Sequence, residues 1–181
     1  MGENVCPKAC RRLRVKHHKA HILDPAIGIF EGVAEALLER RAGGIAQRYL
    51  SRRMAAGKEH PTRLGERMGE AGVPRPEGPV VWFHAASVGE SGVALALIDA
   101  LSGRNASLSF VLTTGTRTSA ELVARRAPPR TTHIYVPLDR AGCVARFLDH
   151  WRPDVGVFVE SELWPNLILQ AEARGVKLAL V

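Results

Sequence analysis

From residue 79 onward, the chain alternates between short apolar segments and longer segments with helical periodicity. The strand-like segments are rich in β-forming residues and cover residues 80–83, 108–113, 133–136, 155–159 and 177–181. The helix-like segments cover about residues 91–103, 117–126, 140–150 and 164–174. Strands separated by such helices pair in parallel through right-handed crossovers, with helices on both faces of the sheet. The sequence therefore predicts an α/β fold with a Rossmann-like parallel sheet.

Residue types that start helices follow several of the predicted strands. Ser87 and Glu90 have the spacing of a capping box, as do Thr118 and Glu121. Asp139 precedes the third predicted helix and is a candidate N-cap. We therefore expect the turns that enter these helices to lie at one edge of the sheet.

Carboxylates follow the first and the fourth predicted strands. Glu90 comes shortly after residues 80–83, and Glu160 and Glu162 come directly after residues 155–159. In open parallel α/β sheets, ligands bind outside the carboxyl ends of the strands. We therefore expect these acids to face a common substrate at that edge.

Two roles are compatible with Glu90. As the last residue of a capping box it would accept the backbone N–H of the N-cap residue, which is the commoner role for an isolated motif. As a carboxylate at the mouth of the sheet it would act as a general base, and Gly89 is expected to allow a tight turn after the strand. The residues alone leave both roles open.

Other side chains near the same edge have similar alternatives. Thr114 can offer a hydroxyl to a phosphate or sugar, or can belong to a helix-entry loop. Trp164 can form an apolar wall for a sugar or lipid, or belong to the core. Asn166 can bind a ligand or satisfy local backbone groups. His84, at the end of the first strand, is predicted to be structural rather than catalytic.

The first part of the chain carries most of the charge. The net charge is +7, and residues 1–70 contain 14 Lys or Arg against 8 Asp or Glu. Residues 1–23 are predicted to form a disordered basic arm, which polyanions such as nucleic acid or anionic lipid would attract. Residues 24–56 have amphipathic helical spacing, which suits either an anionic membrane surface or packing on the protein itself. Residues 57–78 are rich in Gly, Pro and charge and are predicted to be a connector.

Several functional classes are disfavoured by the sequence. It contains no Walker A sequence, no Gly-x-Gly-x-x-Gly after the first strand and no ordered Ser/His/Asp set, which argues against a Rossmann-like enzyme of other chemistry. Cys6, Cys10 and Cys143 lack metal-site spacing and are interpreted as reduced thiols of a cytosolic chain. No apolar run approaches the ~20 residues needed to cross a bilayer.

Five segments together resemble the 3-deoxy-D-manno-octulosonic acid (Kdo) transferases of lipid A assembly. They occur in order from about residue 48 to the end of the chain and comprise Gly57-Lys58-Glu59, Arg63-Leu64-Gly65-Glu66-Arg67, Trp82-Phe83-His84-Ala85-Ala86-Ser87-Val88-Gly89-Glu90, Tyr135-Val136-Pro137-Leu138-Asp139 and Glu160-Ser161-Glu162-Leu163-Trp164-Pro165-Asn166-Leu167-Ile168. The length of the last segment makes the resemblance specific.

This resemblance implies the amino-terminal half of a GT-B glycosyltransferase, with residues 79–181 as its acceptor-binding domain. It implies Kdo transfer from CMP-Kdo to a lipid A precursor (lipid IVA) in lipopolysaccharide core biosynthesis, with no bound metal and no other cofactor. It assigns Glu90 as general base and Glu160 as transition-state stabiliser, whereas Glu162 keeps a structural interpretation. It also implies a peripheral location on the cytoplasmic face of the inner membrane. The candidate substrate-binding residues are Ser87, Gly89, Thr114, Trp164 and Asn166.

Two features differ from the family pattern. Residues 1–44 do not resemble the apolar amino-terminal anchor usual in the family, and the sequence stops at Val181, before the donor domain. We therefore expect CMP-Kdo to bind through a carboxyl-terminal domain absent from this sequence, and the chain alone to be inactive. The alternative function is a truncated, non-catalytic lipid- or nucleic-acid-binding protein, although nucleic acid is not the expected partner.

Overall fold

A computed structural model describes residues 44, 46, 48–159 and 164–181 of the chain. The predicted basic arm at residues 1–23, most of the amphipathic segment at residues 24–56, and both Glu160 and Glu162 lie outside the described residues. Within the described ranges, no helix has the length and the apolar character needed to cross a lipid bilayer.

The described chain contains six helices and five strands. The helices are α1 (helical residues 48–55), α2 (Leu64–Arg67), α3 (Val88–Arg104), α4 (Arg117–Arg126), α5 (Ala141–Trp151) and α6 (Pro165–Ala173). The strands are β1 (Val80–Ala85), β2 (Ser109–Thr114), β3 (Thr131–Tyr135), β4 (Val155–Phe158) and β5 (Lys177–Leu180). Each predicted strand and each predicted helix after residue 79 is confirmed, with end points shifted by a few residues.

All five strands pair in parallel in one sheet with the order β3-β2-β1-β4-β5. This confirms the predicted Rossmann-like α/β fold. The chain moves from β1 outward to β2 and β3, and then crosses back to place β4 on the other side of β1. The strand order reverses between β1 and β4, and open sheets of this kind bind ligands in the crevice beyond the carboxyl ends at that point.

The central strand β1 is buried on both faces, because its side chains alternate between two apolar clusters. On one face, Trp82 packs edge-on against Phe147 of α5 and Phe158 of β4, with ring centroids 5.3 and 5.2 Å apart. On the other face, Phe83 belongs to a cluster with Ile98 of α3 and with residues of β2 and α4. The two layers of helices fix β1 and therefore fix the residues that follow it.

Two predicted helix caps differ from the observed ones. Helix α4 begins with Thr116, whose hydroxyl accepts the N–H of Ser119 at 3.1 Å, so the Thr118 capping box is wrong. Asp139 does not cap the helix that follows it, since Arg140 is the N-cap residue of α5. The Asp139 carboxylate caps α6 instead, a contact between elements that are distant in sequence and that a local pattern does not reveal.

The stretch between α1 and β1, predicted to be a connector, contains α2 packed against β3. Gly69 lies two residues after the end of this helix, with φ of 81°. A Cβ atom at Gly69 would overlap the carbonyl oxygen of Cys143 in α5. Glycine is therefore required there both for its left-handed backbone and for the close approach of α5.

Candidate functional site

A cavity of about 340 Å³ lies at the carboxyl edge of the sheet. Its walls come from α1, from the end of β1, from the turn between β2 and α4, and from the segment after β3. Tyr49 and Arg53 of α1, His84 of β1, Thr116 and Trp164 are among the lining residues. A cavity of this size is at the lower end of the range for small-molecule sites, which is about 300–1,000 Å³.

The Glu90 carboxylate lies at the start of α3, beside the residues that end β1. Its Oε2 atom accepts the backbone N–H of Ala86 at 2.7 Å, and Ala86 lines the cavity. The Ser87 hydroxyl accepts the N–H of Glu90 at 3.2 Å, which confirms Ser87 as the N-cap. Among the described residues, Oε1 of this half-buried carboxylate accepts no hydrogen bond. The Glu90 carboxylate therefore binds the N–H of the residue before the N-cap, not that of Ser87 as a capping box would, and its other oxygen stays available for a ligand.

Gly89 has a different role from the one expected. It lies in the first turn of α3 and does not have a positive φ, so the expectation that it permits a tight turn is wrong. A Cβ atom there would make only an ordinary contact with the Ser87 hydroxyl, at 3.8 Å. The lack of a side chain at Gly89 leaves the surface beside Ser87 and Glu90 uncovered.

His84 is buried, with 2% of its surface exposed, and its Nδ1 atom lies 3.0 Å from the Thr113 hydroxyl. Burial lowers the pKa of His84 to about 4, against opposing effects of the Glu90 charge and of Thr113. The imidazole is therefore neutral near pH 7. Burial and the Thr113 contact fit the predicted structural role, but His84 also lines the cavity, and its Nε2 atom has no partner among the described residues.

The loop after β2 presents Thr116, rather than Thr114, to the cavity. The Thr114 side chain is fully buried, and its hydroxyl lies 2.8 Å from Nε2 of His133 on β3. Between the two threonines, Gly115 approaches β1 so closely that a Cβ atom would lie 3.2 Å from the Ala86 carbonyl oxygen. The predicted substrate contact through Thr114 stays a prediction, and its hydroxyl already has a protein partner.

Trp164 and Asn166 lie at the start of α6 with different surroundings. Trp164 is half-buried, lines the cavity and packs edge-on to His84 with ring centroids 6.5 Å apart, which suits the predicted apolar wall. The Asn166 side-chain amide donates to the Asp139 carbonyl oxygen at 2.9 Å. The Asp139 carboxylate accepts the N–H groups of Asn166 at 3.2 Å and Leu167 at 3.0 Å. Asn166 therefore helps to hold α6 in place, and a substrate contact by it stays a prediction.

A buried ion cluster forms part of the cavity wall, and the sequence did not reveal it. Glu59 is 2% exposed and accepts hydrogen bonds from Arg53 of α1 at 2.5 Å and from Arg67 of α2 at 3.0 Å. Arg67 also donates to the carbonyl oxygens of Gly115 at 2.7 Å and Val136 at 2.9 Å. These bonds join two helices to the carboxyl ends of β2 and β3. The glycine, proline and charged residues of this stretch predicted a connector. The sequence signal for the cluster was that Glu59 and Arg67 lie in two of the segments that carry the family resemblance.

A second set of polar bonds covers the edge strand β3. Glu66 of α2 accepts the N–H of Tyr135 at 2.7 Å and is paired with Arg63 at 2.6 Å. Arg63 also donates to the carbonyl oxygen of His133 at 2.8 Å and lies 3.0 Å from its Nδ1 atom. Burial, followed by the charges of Arg63 and Arg67, lowers the pKa of His133 to about 3. Glu66 of α2 and the adjacent Arg63 thus bind backbone groups of β3. In an uncovered edge strand, such groups would be free to pair with a strand of another protein chain.

The described residues place a carboxylate, a neutral imidazole and two guanidinium groups around or beside one cavity. No group of three or more His, Cys, Asp or Glu side chains within the described ranges is suited to a metal ion. A carboxylate oxygen without a partner can accept a proton from a bound hydroxyl group, which is the chemistry of a general base.

Comparison with known proteins shows where this domain occurs. Residues 62–181 match the family profile described as 3-Deoxy-D-manno-octulosonic-acid transferase (kdotransferase). A probable mitochondrial 3-deoxy-D-manno-octulosonic acid transferase of Arabidopsis thaliana is 36% identical over 129 residues, which are 71% of this chain and 29% of the relative. The corresponding transferase of Rickettsia bellii is 39% identical over 129 residues, 71% of this chain and 31% of the relative. That of Haemophilus influenzae is 37% identical over 121 residues, 65% of this chain and 28% of the relative.

The chain therefore spans less than a third of the length of these relatives. The matched region begins just before α2 and includes the whole sheet, Arg67 of the ion cluster and the cavity-lining residues from His84 to Trp164, whereas Arg53 and Glu59 precede it. The chain belongs to the 3-deoxy-D-manno-octulosonic acid transferase family, and residues 62–181 correspond to its amino-terminal domain.

Proposed function

We propose that this chain is the acceptor-binding half of a GT-B glycosyltransferase that transfers Kdo from CMP-Kdo to a lipid A precursor in lipopolysaccharide core biosynthesis. The observation that carries the proposal is the position of Glu90. Its carboxylate lies at the point where the strand order reverses, one oxygen is held by Ala86, and the other has no partner among the described residues. Family membership supplies the reaction class, because the relatives are 3-deoxy-D-manno-octulosonic acid transferases.

In this proposal Glu90 is the general base. An acceptor hydroxyl attacks the anomeric carbon of Kdo, and Glu90 takes the hydroxyl proton as the new C–O bond forms. The bond between that carbon and the CMP phosphate oxygen breaks, and the phosphate keeps the electron pair. The hydrogen bond from Ala86 fixes the carboxylate before the substrate arrives, so little reorientation is needed during the reaction.

Glu160 is proposed to stabilise the transition state, and it lies outside the described residues. Its neighbour in sequence, Val159, donates its N–H to the carbonyl oxygen of His84 at 2.9 Å. Val159 therefore lies beside the end of β1. The position of Val159 supports the proposal of a shared site with Glu90, in which Glu160 would oppose the positive charge that develops on the sugar.

The acceptor-binding role also agrees with the exposed face of α1. Arg48 and Arg52 are four residues apart and exposed, and Tyr49 between them is 51% exposed. Cationic and aromatic side chains on one helix face suit the interface of an anionic membrane. We propose that α1 contacts the cytoplasmic surface of the inner membrane and that the protein binds there peripherally.

The proposal is tested by a chimera in which residues 62–181 replace the matching region of the Rickettsia bellii relative. The chimera is expected to transfer Kdo from CMP-Kdo to lipid IVA, and the purified chain alone is expected to bind lipid IVA without transferring sugar. Transfer by the chain alone would contradict the need for a donor domain. A chimera that folds and binds CMP-Kdo but shows no transfer to any lipid A precursor would contradict the acceptor-binding function.

A further inference from the structure

We propose that Nε2 of His84 is a hydroxyl-binding position of the cavity, where it accepts a hydrogen bond from a sugar hydroxyl of the acceptor. The identity of the acceptor rests on the function proposed above. The position itself rests on the bonding of His84, which can be tested separately.

The contacts of Thr113 indicate which nitrogen of His84 carries the proton. The Thr113 hydroxyl has one hydrogen, which it donates to the carbonyl oxygen of Phe83 at 3.1 Å. Its lone pairs accept the indole N–H of Trp82 at 2.9 Å and face Nδ1 of His84 at 3.0 Å. With that hydrogen on the Phe83 carbonyl oxygen, Nδ1 of His84 is the donor to Thr113. A neutral imidazole with a proton on Nδ1 has a bare lone pair on Nε2.

That lone pair is buried without a partner. Within the described residues, three buried side-chain polar atoms lack a hydrogen bond, namely Nε2 of His84, Oγ of Ser102 and Oγ1 of Thr131. Of these three residues, His84 alone lines the cavity. Leaving a buried acceptor unpaired is unfavourable, so a group retained in this state at the wall of a cavity indicates a partner that arrives from outside the protein.

The chemistry of Nε2 restricts what that partner can be. A lone pair binds a donor, so a phosphate or carboxylate oxygen of the acceptor cannot occupy this position, whereas a hydroxyl or an amide N–H can. A hydroxyl has one hydrogen and cannot donate to His84 and Glu90 together. The hydroxyl at His84 is therefore a different one from the hydroxyl that reacts, and it fixes the sugar ring while Glu90 takes the reacting proton.

His133 provides an internal comparison. Arg63 can only donate, so Nδ1 of His133 accepts its hydrogen bond, and Nε2 donates to the Thr114 hydroxyl at 2.8 Å. Both nitrogens of His133 are thus bound within the protein, and its side chain is not among the cavity-lining residues. A ligand in the cavity is expected to change the signals of His84 and to leave those of His133 unchanged.

The test is ¹⁵N NMR of the full chain with labelled histidine, because protonated and bare imidazole nitrogens give well-separated signals. His84→Asn assigns the His84 signals. Nε2 of His84 is expected to be unprotonated in the free protein, and its signal is expected to shift when lipid IVA is added in detergent micelles, with detergent alone as the blank. A protonated Nε2 in the free protein would overturn the proposal, and so would an unchanged signal in a sample where lipid IVA is bound.

A second probe separates this inference from the proposed function. If lipid IVA does not bind the chain at all, the proposed acceptor is wrong, and methyl β-D-glucoside at millimolar concentration then tests the hydroxyl position by itself. A shift of Nε2 with the glucoside supports the hydroxyl position without the lipid acceptor. No shift with either probe overturns it.

Activity of the chimera adds a measurement that a purely structural role would not reproduce. His84→Gln places an amide near the position of Nε2, whereas His84→Asn keeps only a donor near Nδ1. Losing the hydroxyl contact is expected to raise KM for the acceptor by about tenfold in the Asn variant, with a smaller increase in the Gln variant. Equal KM values for both variants and for the unchanged chimera would contradict the proposed contact.

Discussion

Two regions at the carboxyl edge of the same sheet differ in how their buried polar groups are paired. In the corner formed by α2, β2 and β3, Glu59, Glu66 and Arg67 are all bound by partners within the protein. In the crevice between β1 and β4, one oxygen of Glu90 and one nitrogen of His84 have no partner among the described residues. The corner holds the loops in position, and the crevice retains the groups that a substrate can use.

The largest effect is expected from breaking the corner with Arg67→Met. This change leaves the buried Glu59 carboxylate with one of its two cationic partners and leaves the carbonyl oxygens of Gly115 and Val136 without a donor. Removing one partner of a buried pair costs about 3–5 kcal/mol, and urea denaturation should show a loss of that size in the free energy of unfolding. The double variant Glu59→Gln with Arg67→Met should lose less free energy of unfolding than the two single variants lose in sum. Strict additivity of the two losses would argue against a coupled cluster.

Removing the proposed base tests the crevice. In the chimera, Glu90→Gln is expected to lower kcat by about 10²–10⁴-fold, because an amide cannot take the proton from the acceptor hydroxyl. Stability should change little, since the amide oxygen can still accept the N–H of Ala86. Glu121→Gln, which alters an exposed carboxylate on α4, is the matched control and should retain full activity. Full activity of Glu90→Gln would exclude Glu90 as the base.

Acid is expected to destabilise both regions through their neutral histidines. The folded-state pKa is about 4 for His84 and about 3 for His133, both below the ordinary value of about 6.5 for an unfolded chain. At pH values between about 6.5 and the folded-state pKa of each histidine, the unfolded state binds more protons than the folded state. Stability therefore falls as the pH falls below about 6.5, by roughly 1.4 kcal/mol per pH unit for each histidine.

Denaturation curves at pH 7, 6 and 5 measure this dependence. His133→Gln should remove about half of the slope, since only His84 would then contribute in this range. A slope that is unchanged in His133→Gln would show that other groups cause the acid sensitivity. A ligand that donates to Nε2 stabilises the neutral imidazole, so it should lower the folded-state pKa of His84 further and extend the His84 contribution to lower pH.

The smallest effect is expected at the start of α6, which borders the crevice. Asp139→Ala removes the acceptor for the N–H groups of Asn166 and Leu167 and should cost about 1 kcal/mol, as for loss of an ordinary N-cap. Amide hydrogen exchange at Asn166 and Leu167 should become faster, while exchange in α5 stays the same. Asp139→Asn keeps one side-chain oxygen as an acceptor, so its loss of stability should be smaller than that of Asp139→Ala. Faster exchange throughout α5 would show instead that Asp139 stabilises α5, the helix that follows it in sequence.

Much of the fold could be predicted because its signal is local. The apolar runs of the five strands and the periodicity of helices α3 to α6 appear in contiguous segments. The predicted third strand began at residue 133 because Thr131 and Thr132 are polar. These residues nevertheless pair through their backbones with Phe110 and Val111 of β2. Hydrogen bonds of the main chain extend the strand beyond its apolar core.

The candidate site was predicted less completely, because its contacts join residues that are distant in sequence. Glu90 and its capping partner Ser87 are three residues apart, so their relation was visible in the sequence. Glu59 and Val136 contact the same arginine across a long separation, and no pattern near either residue indicates this. Thr114 and Asn166 looked available for a ligand, although folding gives each of them a partner in another element.

The sequence by itself determined the order of strands and helices, the cap at Ser87 and the placement of acids after the first and fourth strands, because periodicity and neighbouring residues encode these features. The tertiary structure decided which polar groups stay unpaired. Satisfaction of a buried donor or acceptor depends on every element that packs around it, and here packing bound Thr114, Asn166 and Arg67 within the protein. It left Glu90 and His84 each with an atom that has no partner among the described residues, at the edge where the strand order reverses.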